Sequence, residues 1–346
     1  MVRIAVIPGD GIGPEVVAEA LPALEWAKGR GRAIEWESLP FGAEHFLRTG
    51  EILPEPAITA IRDGADAILF GAVGDPRVPD HRHAEGILLR LRKDLQLRVN
   101  RRPCRPLHDG LVPLKGVRAA EIGIEVFREN TEGPYCLRGA TAAGEALDES
   151  VHTETAVACL LEAAFRRAEA LRRPLLVAHK ANVLKHGHGL WMRVFEAMRR
   201  DFPGVPARPM HADALLCALV QDPRPFGIIA GDNFIGDLVS DLLAGFQGGM
   251  GMAASASVAP HHPFRCGGLF EPVHGSAPDL AGTGRANPCG LLLSVALLFD
   301  HLGWPEEAQA LEGAVAATVR AGEGTPDIGG TLTTAGMGES VRRRLP

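Results

Sequence analysis

Two aspartates four residues apart, Asp237 and Asp241, lie in "FIGDLVSDLLAGF", a run otherwise rich in Ile, Leu, Val and Phe. In a helix they share one face, where like charges oppose folding by a few tenths of a kcal/mol. A divalent cation between them removes that repulsion. Oxygen donors without cysteine or histidine point to Mg²⁺ or Mn²⁺ rather than zinc, with Asp213 of "HADALL" as a candidate third donor. A solvated helix face is the other reading of the pair. A second group is "RENTEGPYC", residues 128 to 136, which holds Arg128, two glutamates, an asparagine and the only tyrosine of the chain, Tyr135. That phenol reads either as an aromatic packed on a turn or as an acid–base hydroxyl. A third is the basic stretch "LRLRKDLQLRVNRRPCR" (89 to 105), dense enough to suggest an anionic small ligand as well as a solvated face.

These residues need rigid elements behind them. "RIAVI" reads as a buried strand running into a glycine turn, and "GPEVVAEALPALEWAKG" follows with helical spacing and Pro14 in its first turn. "PEPAITAIRDGADAILFGAVG" repeats the pattern, with apolar positions 58, 61 and 65 on its helix. "RPLLVAHKANVL" and "FGIIAGDNFIGD" are further buried strands that end directly in Lys, Asn and Asp. Open α/β sheets bind ligands beyond the carboxyl ends of their strands, so the chemistry is expected there. Helices are predicted over 155–173 and 189–204. Residues 252 to 290, dense in Gly, Pro, Ser and His, read as a long loop region. "GDGIGPE" is not a dinucleotide fingerprint, because its third glycine comes one residue early. It reads as a tight turn in which Asp10 orients backbone groups.

Bulk composition excludes several classes. At 346 residues and 46% hydrophobic content the chain can bury a large core and divide into two domains. Its longest apolar runs are too short to span a bilayer, and the amino terminus enters a turn within eight residues, without a signal-peptide core. Six scattered cysteines with no CxxC pair argue against a thiolate zinc site and suit a reducing cytoplasm. A formal charge of −6 offers no footprint for nucleic acid.

Taken in order, "IAVIPGDGIGPEV", "GAVGDPRVPDH", "LRKDLQLRVNRRP", "RENTEGPY", "HKANVL", "FIGDLVSDLLAGFQGGMGMAASA", "LFEPVHGSAPDLAGTGRANP" and "TPDIGGTLTT" resemble the metal-dependent β-decarboxylating dehydrogenases, the isocitrate/isopropylmalate dehydrogenase family, nearly end to end. The resemblance implies an α/β fold of that type rather than a standard Rossmann fold. In it, a twisted mixed sheet is shared by two interleaved domains, residues 1–98 with 252–346 and residues 99–251. It implies NAD, Mg²⁺ or Mn²⁺, K⁺ as an optional further ion, a small 2-hydroxy dicarboxylate as substrate, and a homodimer whose subunits share sites. Arg92, Arg102 and Arg128 match the arginines that hold substrate carboxylates, and Leu88 and Leu89 lie at substrate positions. Asp213, Asp237 and Asp241 match the metal ligands, Lys180 the lysine that deprotonates the C2 hydroxyl, and Tyr135 the acid that protonates the enolate. Asp213 and Lys180 are expected to reach the neighbouring subunit's site. Cofactor contacts are implied for Gly71, Ala72, Val73, Gly74, Glu85, Glu271, His274, Gly275, Ser276, Ala277, Pro278, Asp279 and Asn287. Asp279 stands where NAD-dependent relatives carry an aspartate, which accepts ribose hydroxyls and repels a 2′-phosphate; Arg265 and Arg285 are the cations that would oppose this.

Departures bear on the substrate. Ala214 replaces a frequent Asn, His179 a frequent Asp and Arg98 an aromatic, while Arg101 adds a cation. The loop lacks the serine and asparagine that hold a third carboxylate, which disfavours isocitrate, whereas nearby Arg90 keeps homoisocitrate open. "GAVGDPRVPDH", the "VN" of "LRVNRRP" and "ATVRAGEGTPDIGGT" look most like the tartrate/D-malate branch. The expected activity is therefore NAD- and metal-dependent oxidative β-decarboxylation of a D-malate- or tartrate-like hydroxyacid. 3-Isopropylmalate or homoisocitrate oxidation is the alternative, and a catalytically silent regulatory subunit is the non-enzyme alternative.

Overall fold

A computed structural model describes residues 1–261 and 263–346. Ten strands form one mixed sheet in the order β2-β1-β3-β12-β11-β4-β5-β10-β8-β9, and β6-β7 form a separate hairpin. The strands are β1 (Val2–Gly9), β2 (Ile34–Ser38), β3 (Ala67–Ala72), β4 (Val99–Cys104), β5 (Ile124–Glu129), β6 (Gly139–Ala142), β7 (Glu145–Asp148), β8 (Leu175–His179), β9 (Ala207–His211), β10 (Ile228–Gly231), β11 (Ala254–Val258) and β12 (Gly268–Pro272). Two parallel wings, β2-β1-β3-β12 and β5-β10-β8-β9, flank β11 and β4, each of which runs antiparallel to both its neighbours.

Both faces of the wings are covered, which is why their strands are apolar at consecutive positions. Along β1, Ile4 and Val6 enter one core cluster while Ala5 and Ile7 enter another. Along β8, Leu175 and Val177 face one cluster, and Leu176 and Ala178 the opposite one. The buried members of the first two clusters come from residues 4–97 and 252–341, and those of the other two from residues 99–246. Helices form at Gly13–Gly29, Glu55–Gly64, Glu154–Leu171 and Gly187–Met198. The last ends before Pro203 rather than at it.

The stretch 252–290 departs from the loop expected of it. β11 and β12 lie there, joined to the rest of the sheet by β4 and β3. "ASASV" hides its alternation because small residues suffice where two strands pack closely, and pairing overrides weak local preference. At the sheet centre, Asn100 of β4 donates to the hydroxyls of Ser255 (2.7 Å) and Ser257 (3.1 Å) on β11.

β5, which ends beside Arg128, is held by Glu125. This buried carboxylate accepts hydrogen bonds from Arg101 (2.8 Å), Arg105 (2.5 Å) and Arg167 (2.8 Å). Burial works to raise its pKa, but Arg167 and Arg101 outweigh it and hold the group at about 2, against an ordinary 4.5. A depressed folded-state pKa contributes stability above the unfolded value that is lost as pH falls through the folded one. Glu125 therefore contributes about 3 kcal/mol at neutral pH that disappears between about pH 5 and pH 2. Glu125→Gln is expected to destabilise the protein by roughly 2–3 kcal/mol, since it removes the buried charge shared by three partly exposed arginines, and to flatten this acid limb. Denaturant melts across pH check it; parallel wild-type and variant curves would refute it.

Candidate active site

One stripe of the Asn233–Phe246 helix gathers most of the chemistry. Asn233, Asp237 and Asp241 follow each other at i,i+4 and so stack along one face. Arg102, from β4, donates through Nη1 to Asp237 Oδ1 (3.0 Å), Ser240 Oγ (2.8 Å) and Asp241 Oδ1 (3.3 Å), and its Nε donates to Asn100 (2.7 Å). Arg128, near the end of β5, also binds Asp237 Oδ1 and donates to Asn233 Oδ1 through Nε (2.9 Å) and Nη2 (2.6 Å). Gly236 makes this approach possible, because a Cβ there would stand 2.8 Å from the Arg128 side chain. The Tyr135 hydroxyl donates to Asp237 Oδ2 (2.8 Å), and the Arg128 guanidinium lies over its ring at 5.0 Å.

Electrostatics follow from this crowding. Burial, with Arg102 beside it, pulls the Arg128 pKa down to about 10, and Arg92 is close enough to push the same way. Burial works to raise Asp237, yet Arg128 and Arg102 hold it below the ordinary carboxylate range. Asp241 is raised, by burial and then by Asp237. Burial also raises the Tyr135 phenol.

Arg92 pairs with Glu271 of β12 (2.7 Å), and its buried Nε has no partner among the described residues. Lys180 and Asp213 stand apart from the stripe. They bond to each other at 2.6 Å, with the Asp213 side chain 68% exposed. Among the described residues no hydrogen bond or ion pair joins them to Asp237 or Asp241. Beside Tyr135 opens a cavity of about 720 Å³, lined among others by Glu85, Leu89, Arg90, Arg98 and Arg138. Leu88 turns away from it and packs on the cluster that holds Ile58 and Leu91; neighbouring positions on a helical turn cannot face the same way. Arg90 is engaged by Leu53 O (2.7 Å), Asp94 (3.2 Å) and Glu55.

The glycine turn after β1 acts as a scaffold for two other loops. Asp10 accepts from the backbone N–H groups of Ala43 (2.6 Å) and Gly74 (2.8 Å), and meets buried His83 Nε2 at 3.0 Å. The Ile12 N–H donates to Ser276 O (2.8 Å), and at Gly11, with φ +57°, a Cβ would fall 1.9 Å from that oxygen. Gly74 thereby lies against the 271–287 loop, where a Cβ would stand 3.1 Å from Ser276 Oγ, while Gly71 and Ala72 pack on the turn itself at Pro8, Asp10 and Gly13. In that loop Gly275 and Pro278 are exposed, Ala277 takes a φ of +38°, and Asp279 is exposed on the following turn without a hydrogen-bond partner among the described residues. His274 Nδ1 lies 2.9 Å from Gly275 O, and its buried Nε2 has no partner among the described residues. Asn287 is engaged internally, donating to Asp327 (3.0 Å) and accepting from the Cys289 N–H (3.0 Å). Arg265 is held by Asp66 (2.9 and 3.0 Å) rather than directed at a ligand.

Sequence reasoning missed Asn233 and Ser240, although Asn233 continues the i,i+4 series backwards and was legible on that ground. Asn100 gave no such signal for its bonds to Ser255 and Ser257, 155 and 157 residues away, nor did Asp232 for its contact with His188, 44 residues away.

Comparison with known proteins agrees with the ordered motifs. The family model described as "Isocitrate/isopropylmalate dehydrogenase" matches residues 3–341. The chain belongs to the isocitrate/isopropylmalate dehydrogenase family. It is an NAD-dependent decarboxylating dehydrogenase, from a family whose members use a divalent metal. Among its relatives, a 3-isopropylmalate dehydrogenase of Thermobifida fusca is 40% identical over 99% of this chain and 98% of its own. One of Streptomyces coelicolor is 42% identical over 95% and 97%. An isocitrate dehydrogenase structure from Methylococcus capsulatus superposes with a TM-score of 0.89 at 30% identity, over 100% and 99% of the two chains. A β-decarboxylating dehydrogenase from Thermococcus kodakarensis gives 0.80 at 34%, over 100% and 96%. The names of the sequence relatives favour the isopropylmalate alternative over the tartrate/D-malate branch. No helix of the described residues is long and apolar enough to cross a membrane.

Proposed function

We propose that this family member oxidises and decarboxylates a malate bearing an apolar group at C3, with 3-isopropylmalate as substrate, NAD as acceptor and Mg²⁺ or Mn²⁺ bound by Asp237, Asp241 and Asp213. The observation that carries the substrate choice is Leu89, which presents carbon to the cavity beside Tyr135, in line with the relatives named 3-isopropylmalate dehydrogenase. This turns the reading away from homoisocitrate and from the tartrate-like first expectation.

The donor set fits the metal: carboxylates at i,i+4, one of them with its pKa raised by burial and by the other. The cofactor loop fits NAD through its unpartnered His274 Nε2 and the free Asp279 carboxylate. When bound, the cation acidifies the C2 hydroxyl and stabilises charge on that oxygen, and NAD accepts the hydride from C2. Arg92, Arg102 and Arg128 clamp the two substrate carboxylates, the unpaired Arg92 Nε being a donor in waiting. Lys180 takes the C2 hydroxyl proton. After the C3 carboxylate leaves as CO₂, Tyr135 delivers its proton to C3.

Lys180 and Asp213 serve the site of a second subunit in this reading. Support comes from their separation from Asp237 and from exposed apolar residues, Val183 and Leu184 just after Lys180 and Phe234 and Leu238 on the helix that bears Asp237. Residues 1–98 with 252–346 and residues 99–251 form the two domains, in line with how the core clusters sort.

NADH formation measured with 3-isopropylmalate, D-malate, tartrate, homoisocitrate and isocitrate tests the substrate. The expected kcat/KM for 3-isopropylmalate exceeds the others by at least about tenfold, as burying an isopropyl group is worth roughly 1.5–3 kcal/mol. A higher value with D-malate or tartrate would overturn the choice.

A further inference from the structure

Behind Lys180 lies a buried hydrogen-bonded chain that the proposed mechanism does not use. Lys180 is the first residue beyond β8, at the start of an exposed turn (182–186) that leads into the Gly187–Met198 helix. The second residue of that helix is His188, 1% exposed. The Lys180 backbone N–H donates to His188 Nδ1 at 2.9 Å. Nδ1 therefore carries the lone pair and Nε2 the proton, which points at Asp232 Oδ2, 3.2 Å away. Asp232, 3% exposed, is the N-cap of the helix that bears Asn233, Asp237 and Asp241, and its other oxygen accepts the Ile235 N–H at 2.7 Å.

His152, His188 and Asp232 have the composition of a metal site. Their atoms are already engaged, however: Trp191 donates to His152 Nδ1 (3.1 Å), and His152 Nε2 meets Ser150 Oγ (2.9 Å). Both His188 nitrogens are used as described, and its ring packs edge-on against His152. The arrangement is that of a clamp.

We propose that His188 is a positioning residue, which locks the main chain of Lys180 to the N-terminus of the metal-bearing helix and thereby fixes where the lysine side chain starts. This rests on the reading of Lys180 as the base. The turn after Lys180 is otherwise tied by its own backbone bonds, Val183 and Leu184 N–H to Lys180 O. Loss of the clamp lets the start of the side chain drift, and misplacement by about 1 Å costs on the order of 10²-fold in rate.

The test uses the full-length enzyme with NAD, Mn²⁺ and 3-isopropylmalate. His188→Leu removes both bonds and is expected to lower kcat about 10- to 100-fold, with KM within about twofold because the arginine clamps are untouched. His188→Gln, whose amide can accept from Lys180 and donate to Asp232, is expected to restore kcat to within about threefold of wild type. Asp232→Asn keeps volume and a good cap residue but must lose one of its two bonds in either amide orientation, so it reports if His188→Leu does not fold. It is expected to lower kcat like His188→Leu. In a Lys180→Ala background neither change should reduce kcat further, whereas a merely structural role would add its own loss. Folded His188→Leu and Asp232→Asn with kcat within about threefold of wild type, a His188→Gln no better than His188→Leu, or losses that add to that of Lys180→Ala, would overturn the proposal. Near wild-type turnover in Lys180→Ala alone would instead remove the reading of Lys180 on which it rests.

Discussion

Asp241→Asn is expected to lower kcat/KM by about 10³-fold while leaving the melting temperature of the metal-free protein unchanged or slightly higher. Metal stabilisation of developing charge is worth several kcal/mol, and about 1.4 kcal/mol corresponds to tenfold in rate. Stability moves the other way because Asp241 is half-exposed, has among the described residues only Arg102 (3.3 Å) as an ion-pair partner and sits one helical turn from Asp237. Removing its charge relieves a like-charge i,i+4 pair by a few tenths of a kcal/mol. Steady-state kinetics across a Mn²⁺ titration, beside thermal melts in chelator, check both arms. Wild-type kinetics at low Mn²⁺ would contradict the assignment, and a large drop in melting temperature would contradict the electrostatics.

The second large effect is expected at Tyr135. Tyr135→Phe removes one hydroxyl, bonded to Asp237 Oδ2 at 2.8 Å, and leaves the ring under Arg128. Positioned proton transfer contributes about 10²–10⁴-fold, so steady-state turnover should fall by at least about 10²-fold. The hydride step precedes protonation, so rapid mixing should still show a burst of NADH close to one per site before the slow phase. Turnover within threefold of wild type would return Tyr135 to a packing role. Loss of the burst together with turnover would place it in the hydride step instead.

Much of this site was legible in the sequence because its information is local. Asp237 and Asp241 fall on one face by spacing alone, and Arg128, Glu129 and Tyr135 lie within eight residues. The "GDGIGPE" turn could be separated from a dinucleotide fingerprint by a single glycine offset, and Asp10 does bind the backbone of two other segments. Other features depended on pairings distant in the chain. Nothing local says that Arg102 and Arg128 meet on one carboxylate, since β4 and β5 run antiparallel and bring them there from 26 positions apart. Nor does anything local say that His188 reaches Asp232, 44 residues on. β11 was hidden because Ala and Ser carry little strand preference of their own, and β12 because its two apolar residues, Leu269 and Phe270, are bracketed by Gly268, Glu271 and Pro272; both become strands through their neighbours. Leu88 and Leu89 were indistinguishable by type, and only helical geometry assigns one to the core cluster and the other to the cavity.

The central claim is that oxidation and decarboxylation of a 3-substituted malate are coupled at one metal-dependent site. It is tested most directly by following NADH and CO₂ together, with chelator-stripped enzyme, NAD and 3-isopropylmalate, before and after Mn²⁺ is restored. The expected result is no product before the metal, and NADH and CO₂ in equal amounts after it. NADH without CO₂, or turnover unaffected by the chelator, would contradict it.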